Sequence, residues 1–324
     1  MSTIRIAVIG ADQLDPEHHL ALNALAEAGS ISAFALDAEP DETGFSSLND
    51  AMQSNQLDAV ILAGDRSQLP AWVCYCLEHG WPVYSTHPVP PSIEDMINIR
   101  RAEQSAGRTC LQFAYTARLH GSVIAALTKS ESGEYGQLLT LRGVCGVAGD
   151  DGYGSVLFEH GAQMLDLMHA FAGPFQDIVG FADFDRSETP GSESNVLANL
   201  RTHAGTIASL HLSVTQWRPT FRLELGFEHG YLWLEGVNTH NAYFGHEALI
   251  YARTSEDGPQ HETVDRFEQS NGAMSSLQSF LTRLTDPSHP AIGTSQQAFD
   301  TLNTLQRILA ADPIHTPLQE RHAS

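Results

Sequence analysis

Two rhythms of hydrophobic and polar positions divide the chain. Over the first 110 residues, unbroken apolar runs alternate with stretches whose apolar residues recur every three to four positions. The runs cover 4–9 (I-R-I-A-V-I), 31–36 (I-S-A-F-A-L), 58–63 (D-A-V-I-L-A), 81–85 (W-P-V-Y-S) and 110–113. The helical stretches cover 16–28, 45–55, 69–79 and 92–106, the last with Ser92 as N-cap and Gly107 as its stop. Unbroken apolar runs suit strands covered on both faces, so residues 1–118 predict an α/β domain with a doubly wound parallel sheet. After about residue 118 the rhythm changes. Helices over 119–130 and 159–172 flank a strand over 137–147, and alternating strands follow at 176–184, 195–203, 206–215, 220–228, 230–235 and 247–252. Glu228-His229-Gly230 and the stretch around Gly236 read as hairpin connections. Residues 149–154 and 183–194 read as surface loops, helices over 272–285 and 294–311 follow, and 312–324 reads as a loose tail. Residues 119–324 thus predict an α+β domain with a large, mostly antiparallel open sheet.

The first strand and its turn carry the most chemistry. Gly10 opens the turn where a dinucleotide-binding G-x-G-x-x-G would begin, and positions 12 and 15 hold aspartate instead of glycine. Those glycines bring backbone amides against a pyrophosphate at a helix N-terminus. Gly10, Asp12, Gln13 and Leu14 are the candidate cofactor contacts on this turn. Asp15 precedes Pro16 and Glu17, which marks an N-cap with proline at the first helical position. Its carboxylate is placed to take amides that a phosphate would use, and a like charge about 4 Å away costs about 4 kcal/mol at an effective dielectric near 20. The domain reads as Rossmann-type, with its grip on a dinucleotide weakened or lost. Asp37 ends the second strand, where an acidic residue can bind an adenosine ribose and favour NAD over NADP. It reads equally as part of an acidic turn with Glu39, Asp41 and Glu42.

Charge and composition narrow the classes of partner. The net charge of −22 excludes nucleic acid and anionic membranes as natural partners. No apolar run is long enough to cross a membrane and no leader-like segment opens the chain, so a soluble, cytoplasmic protein is expected. Cys74, Cys76, Cys110 and Cys145 lack zinc-site spacing and read as reduced thiols. The histidines supply no metal triad on one element; His18 and His19 diverge by about 100° on a helix, and no metal is expected. Lys129 is the one lysine in the chain, reads as a solvated helix-end cation, and leaves no other lysine for chemistry.

Five stretches in order give the chain a resemblance to the Gfo/Idh/MocA oxidoreductases: I-R-I-A-V-I-G-A at the start, D-A-V-I-L-A (58–63), L-E-H-G-W-P-V-Y-S-T-H-P (77–88), E-H-G-A-Q-M-L-D (159–166) and G-F-E-H-G-Y-L-W-L (226–234). The resemblance spans nearly the whole chain. It implies hydride transfer between a sugar, polyol or related polar compound and NAD or NADP. It also implies site residues, and each departs from the family's pattern. The lysine of E-K-P falls on His87, the aspartate of D-x-G-x-H-x-x-D on Glu159 and its histidine on Gln163. Ala63 and Gly64 stand where a Thr-Pro pair often lies near the nicotinamide. Glutamine has no proton to exchange near neutral pH, whereas histidine does. His87 is therefore the candidate acid/base, with Glu159 and Gln163 as hydrogen-bonding partners in a pocket expected between the domains. The bland alternatives are that His87 caps a turn before Pro88, Glu159 caps its helix and Gln163 lines a pocket passively.

Three readings of function follow. One is an oxidoreductase with a rewired site; another is a non-catalytic relative that binds a small polar ligand or a protein partner; the third is a lyase- or isomerase-like acid/base enzyme. An open sheet face carrying Trp217, Phe221, Leu223 and Trp233 implies a homodimer or tetramer formed through it.

Overall fold

The computed structural model describes residues 3–36, 57–107, 110–148, 155–184, 193–239, 243–254, 261–268 and 271–312. The helix expected over 45–55, Asp37 and the loop 149–154 lie outside them, as do most of the loop 183–194 and of the tail. The chain forms two units: Met1–Thr116 with Asn271–Phe299, and Ala117–Ser270 with Asp300–Ser324. The sequence reading places everything after 118 in the second domain; the segment 271–299 instead belongs with the first unit.

The first unit is built on five parallel strands: β1 (Ile4–Ile9), β2 (Ile31–Leu36), β3 (Ala59–Leu62), β4 (Val83–Ser85) and β5 (Leu111–Phe113), in the order β2-β1-β3-β4-β5. All four residues of β3 are buried, as a strand covered on both faces must be. Its helices are α1 (Pro16–Glu27), α2 (Leu69–Glu78), α3 (Ile93–Ala106) and α6 (Gly272–Thr285). Helix α1 presents Ala21, Leu22 and Leu25 to a core that contains Ile6, Val8 and Tyr84 and is completed by Ala273, Leu277 and Phe280 of α6. Each large apolar side chain buried there stabilises by about 1.5–3 kcal/mol, so α6 is a structural member of this unit despite its distance in sequence. The order of strands reverses at β1, and open α/β sheets bind ligands beyond the carboxyl ends of their strands at such a reversal.

The second unit carries an eight-stranded sheet: β6 (Leu138–Ala148), β7 (Phe175–Asp183), β8 (Asn195–Thr202), β9 (Ile207–Ser213), β10 (Thr215–Phe227), β11 (Gly230–Glu235), β12 (Ala248–Arg253) and β13 (Thr263–Arg266). The order is β13-β12-β11-β10-β6-β9-β8-β7, antiparallel throughout except for the parallel pair β6–β9. Strand β13 is absent from the sequence reading. Helices α4 (Gly121–Glu131) and α5 (Ala162–Ala172) belong to this unit, and α7 (Ser295–Ala310) enters it from Asp300 onward. Helix α5 lies close on the sheet: a Cβ at Gly143 of β6 would come within 2.9 Å of the Met164 sulfur. The helix expected from 159 opens instead with a π-turn, Leu157–Gly161.

The open face differs from the one expected. Phe221 and Leu223 are buried on the inner side, while Arg222 and Glu224 alternate with them outward. Strand periodicity of two makes this a matter of parity, and a bulge between Thr215 and Thr220 shifts the register ahead of Phe221. Trp217, within that bulge, is 99% exposed. Val179, Phe181, Leu197 and Ile207, on β7, β8 and β9, are outward apolar residues of this sheet, and Trp233 is half-buried between the buried Leu232 and Leu234.

Candidate functional site

In the first unit, the ends of β1, β3 and β4 bring three of the expected residues together. Gly10 leaves β1 with φ +70°, and a Cβ there would lie 2.5 Å from Cα of Gly64, so only glycine fits. His87, just beyond β4, places Nε2 2.9 Å from the carbonyl oxygen of Gly64. A carbonyl accepts only, so Nε2 carries a proton and donates to it. Ser85 donates to the carbonyl of His87 at 2.8 Å and fixes the turn. Asp65 stays well below the usual carboxylate range, held by hydrogen bonds from Ser67, with a smaller pull from the positive charge His87 can carry. Ala63 is buried, and its amide donates to the carbonyl of Ile9 at 2.9 Å.

The rest of the turn does not present a phosphate site. Ala11–Gln13 form a 3-10 turn in which the amide of Gln13 donates to Gly10 (2.9 Å) and that of Leu14 to Ala11 (3.5 Å). The amide of His18, in the first turn of α1, donates to the Asp15 carboxylate at 3.0 Å. The amides of Gln13, Leu14 and His18 are thus satisfied from within. The residues fit a dinucleotide at the Gly10–Gly64 contact and do not fit it at the start of α1.

In the second unit, Glu159 lies in the π-turn and Gln163 one turn later in α5, so the two share a helical segment. Gln163 is buried, and its Oε1 accepts from the backbone amide of Ala117 at 3.2 Å. Glu159 is half-buried. His160 is buried, and its Nδ1 lies 3.1 Å from Thr239 Oγ1. The sequence reading misses two buried pairs in this unit. Arg118 grips Asp166 through Nε and Nη2, with Nη2 2.9 Å from Oδ1 and 3.2 Å from the Asp166 carbonyl. Burial pushes the Asp166 carboxyl up and the guanidinium opposes that shift. Glu247 accepts from His120 Nδ1 (2.9 Å) and from the Ser122 amide (2.8 Å), capping α4. Burial alone would raise Glu247, but these bonds and the His120 charge hold it below the ordinary range. Asp166 closes the E-H-G-A-Q-M-L-D stretch, which was its available signal; Glu247 had none, lying 127 residues from His120. Lys129 sets its ammonium 3.9 Å above the ring of Tyr251. Among the described residues no group of three or more His, Cys, Asp or Glu is arranged to hold a metal, and no helix is long and apolar enough to cross a membrane.

No protein-family model matches the chain. A stretch of 150 residues is 27% identical to the inositol 2-dehydrogenase of Leifsonia xyli, covering 44% of each chain. A stretch of 152 residues is 26% identical to that of Corynebacterium glutamicum, covering 44% of this chain and 45% of the relative. The match therefore spans less than half the length of these relatives. Among solved structures, a levoglucosan dehydrogenase in complex with NADH and L-sorbose superposes with a TM-score of 0.79 at 12% identity, over 97% of this chain and 98% of that one. The WlbA dehydrogenase of Bordetella pertussis, in complex with NADH and UDP-GlcNAcA, gives 0.76 at 16% identity over 95% and 96%. An NAD-binding oxidoreductase from Klebsiella pneumoniae gives 0.80 at 13% identity over 95% and 97%. The fold is thus shared with these oxidoreductases along almost the whole chain, and the partial match to inositol 2-dehydrogenases agrees with the resemblance of the ordered motifs to the Gfo/Idh/MocA oxidoreductases.

Proposed function

We propose that the protein is an NAD(P)-dependent oxidoreductase acting on a sugar, polyol or related polar compound through a rewired site. The observation that carries this reading is His87. Its ring is oriented by a hydrogen bond to Gly64, at the carboxyl ends of the strands beside the reversal at β1. An imidazole oriented in this way is a group able to exchange a substrate proton near neutral pH, the task the resemblance gives to lysine and histidine. Glu159 and Gln163 serve as hydrogen-bonding partners of substrate hydroxyls, and the dinucleotide, when bound, supplies the hydride acceptor. The inositol 2-dehydrogenase match and the sugar-processing neighbours favour polyhydroxylated substrates. Turnover with NAD and NADP, followed by reduced-nicotinamide absorbance across inositols, levoglucosan and linear polyols, tests this. Slow turnover that disappears in His87→Ala is expected; turnover unchanged in that variant removes His87 from the reaction.

A second reading, a non-catalytic relative that binds a small polar ligand or a protein partner, is favoured by the recruitment of Gln163 to the Ala117 amide and of Asp15 to the helix cap. No reduction of either cofactor with any substrate, together with ligand binding weakened by His87→Ala, selects it. Either way, a homodimer or tetramer through the open sheet is proposed, supported by the outward Val179, Phe181, Leu197 and Ile207. Light scattering showing a monomer at all salt concentrations removes that assembly.

A further inference from the structure

The outward side of the eight-stranded sheet carries both a projection and a hollow. From Thr215, which faces Ala148, to Thr220, which faces Gly146, β10 advances five positions while β6 advances two. Residues 216–219 therefore stand opposite Val147 alone. Cys145 and Val147 are buried on the inner side, so Gly146 between them points outward. Gln216 lies on it: a Cβ at Gly146 would come within 2.3 Å of the Gln216 side chain. The bulge is thus pinned on the outward side of the sheet. Pro219 has no amide to give to the ladder, and the Thr220 hydroxyl donates to the Arg218 carbonyl at 3.0 Å. Trp217, Arg218 and Pro219 are exposed at its tip, Trp217 to 99%.

The hollow lies across β6, β9, β8 and β7. One cross-strand row lines it with Val144, His211, Leu197 and Phe181, and Arg142 and Val179 close it from the next row. It holds about 180 Å³, where a water molecule takes about 30 Å³, so it has room for a side chain. Val179, Leu197 and Phe181 are each more than half exposed. Burial and the Arg142 charge hold the His211 pKa below its usual value, which leaves a neutral ring among these apolar walls. At about 4.8 Å per strand and about 3.3 Å per residue, the middle of the hollow lies roughly 18 Å from the bulge, beyond the reach of the same chain's indole.

Charge selects the occupant. The chain carries −22, yet on this side arginines and carboxylates pair off: Arg142 with Glu224 at 3.7 Å, Arg201 with Asp177 at 3.8 Å and Arg222 with Glu235 at 2.5 Å. A basic partner finds no excess of negative charge to draw it here, and a second copy meets no net repulsion. Projection and hollow also share one side, so a single two-fold rotation seats both projections at once and closes the pair. We infer that Trp217 of each copy seats its indole in the Val144–Leu197–Phe181 hollow of a second copy, so that two tryptophans anchor a closed dimer. The anchor presupposes the open-sheet assembly proposed above and adds its residue and its closure. A tryptophan seated in an apolar pocket and shut off from water is the kind of contact that dominates interface energies.

Analytical ultracentrifugation of the full chain across a range of concentrations, with wild type beside Trp217→Ala and Leu197→Glu, tests this. Wild type should form dimers that do not extend into open chains, and each variant should dimerise about thirtyfold or more weakly. Both positions are exposed, so melting temperatures should match wild type. In a Trp217→Cys, Leu197→Cys double variant, a bis-maleimide too short to span the two positions within one chain should give a covalent dimer that neither single variant gives. Absence of that dimer, or its equal appearance in the single variants, overturns the placement of Trp217. Trp217→Ala dimerising as tightly as wild type overturns the anchor and leaves the open-sheet assembly standing. A wild type that stays monomeric at every concentration overturns both, and open-ended polymers overturn the two-fold closure.

Discussion

The β1–α1 turn of the first unit and the 157–172 segment of the second both carry motifs by which the sequence resembles the Gfo/Idh/MocA oxidoreductases, and they depart from those motifs in different ways. In the turn, the backbone frame survives: Gly10 still packs on Gly64, and α1 still begins with a cap at 15. Only the charge presented there has changed. In the helical segment, polarity survives while its use has changed: Gln163 satisfies the Ala117 amide, and Asp166 is locked to Arg118. In the turn the Asp15 carboxylate takes the His18 amide. A site made from side chains loses its titratable group with one substitution, yet stays polar because its new partner is a buried amide that needs an acceptor.

The largest test of that contrast is Arg118→Ala, which strands the buried Asp166 carboxylate. A loss of about 3–5 kcal/mol in denaturant unfolding is expected; a loss under about 1 kcal/mol would mean the pair is no more than a surface ion pair. Acid should act next, through His169. Its imidazole is half-buried beside Thr304, and desolvation, with the nearby Arg118 charge, lowers its pKa from 6.5 to about 4. Above 6.5 both folded and unfolded forms are neutral, so nothing is lost; between 6.5 and 4 the unfolded chain binds the proton first, and stability falls as the pH falls. The loss is about 3 kcal/mol over that window, and His169→Gln should flatten the profile by one proton. Gly10→Ala forces a left-handed backbone and a clash with Gly64, costing about 1–3 kcal/mol in thermal unfolding; an unaffected melting temperature would show that the turn opens freely. Gln163→Leu should cost about 1–3 kcal/mol by leaving the Ala117 amide unmet. A neutral result would release Gln163 from its structural duty and strengthen its role as a ligand partner.

The sequence showed what is local. The five unbroken strands, the N-caps at Asp15 and Ser92 and the alternation along β8 are each decided within a few residues, and the structure has them where periodicity put them. What was hidden depends on distant partners. Nothing in the neighbourhood of His18 foretells Tyr84, 66 residues on, nor that α6 would complete the first core. The parity of Phe221 and Leu223 was misread because the bulge ahead of them cannot be counted from an alternating pattern alone. Of the candidate site, Gly10, Gly64 and His87 do meet.

The return of α6 to the first unit sets an order of events during synthesis. Ala273, Leu277 and Phe280 leave the ribosome only after every strand of the second unit has been made. Until then the nascent first unit lacks one wall, and Tyr84, Leu22 and Leu25 stay partly uncovered while the eight-stranded sheet can already assemble. A released chain ending before Gly272 should therefore bind hydrophobic dyes and be captured by holdase chaperones. Supplying residues 271–312 as a separate peptide should reverse both, whereas dye binding equal to that of the full chain would show that the cores close without their last helices.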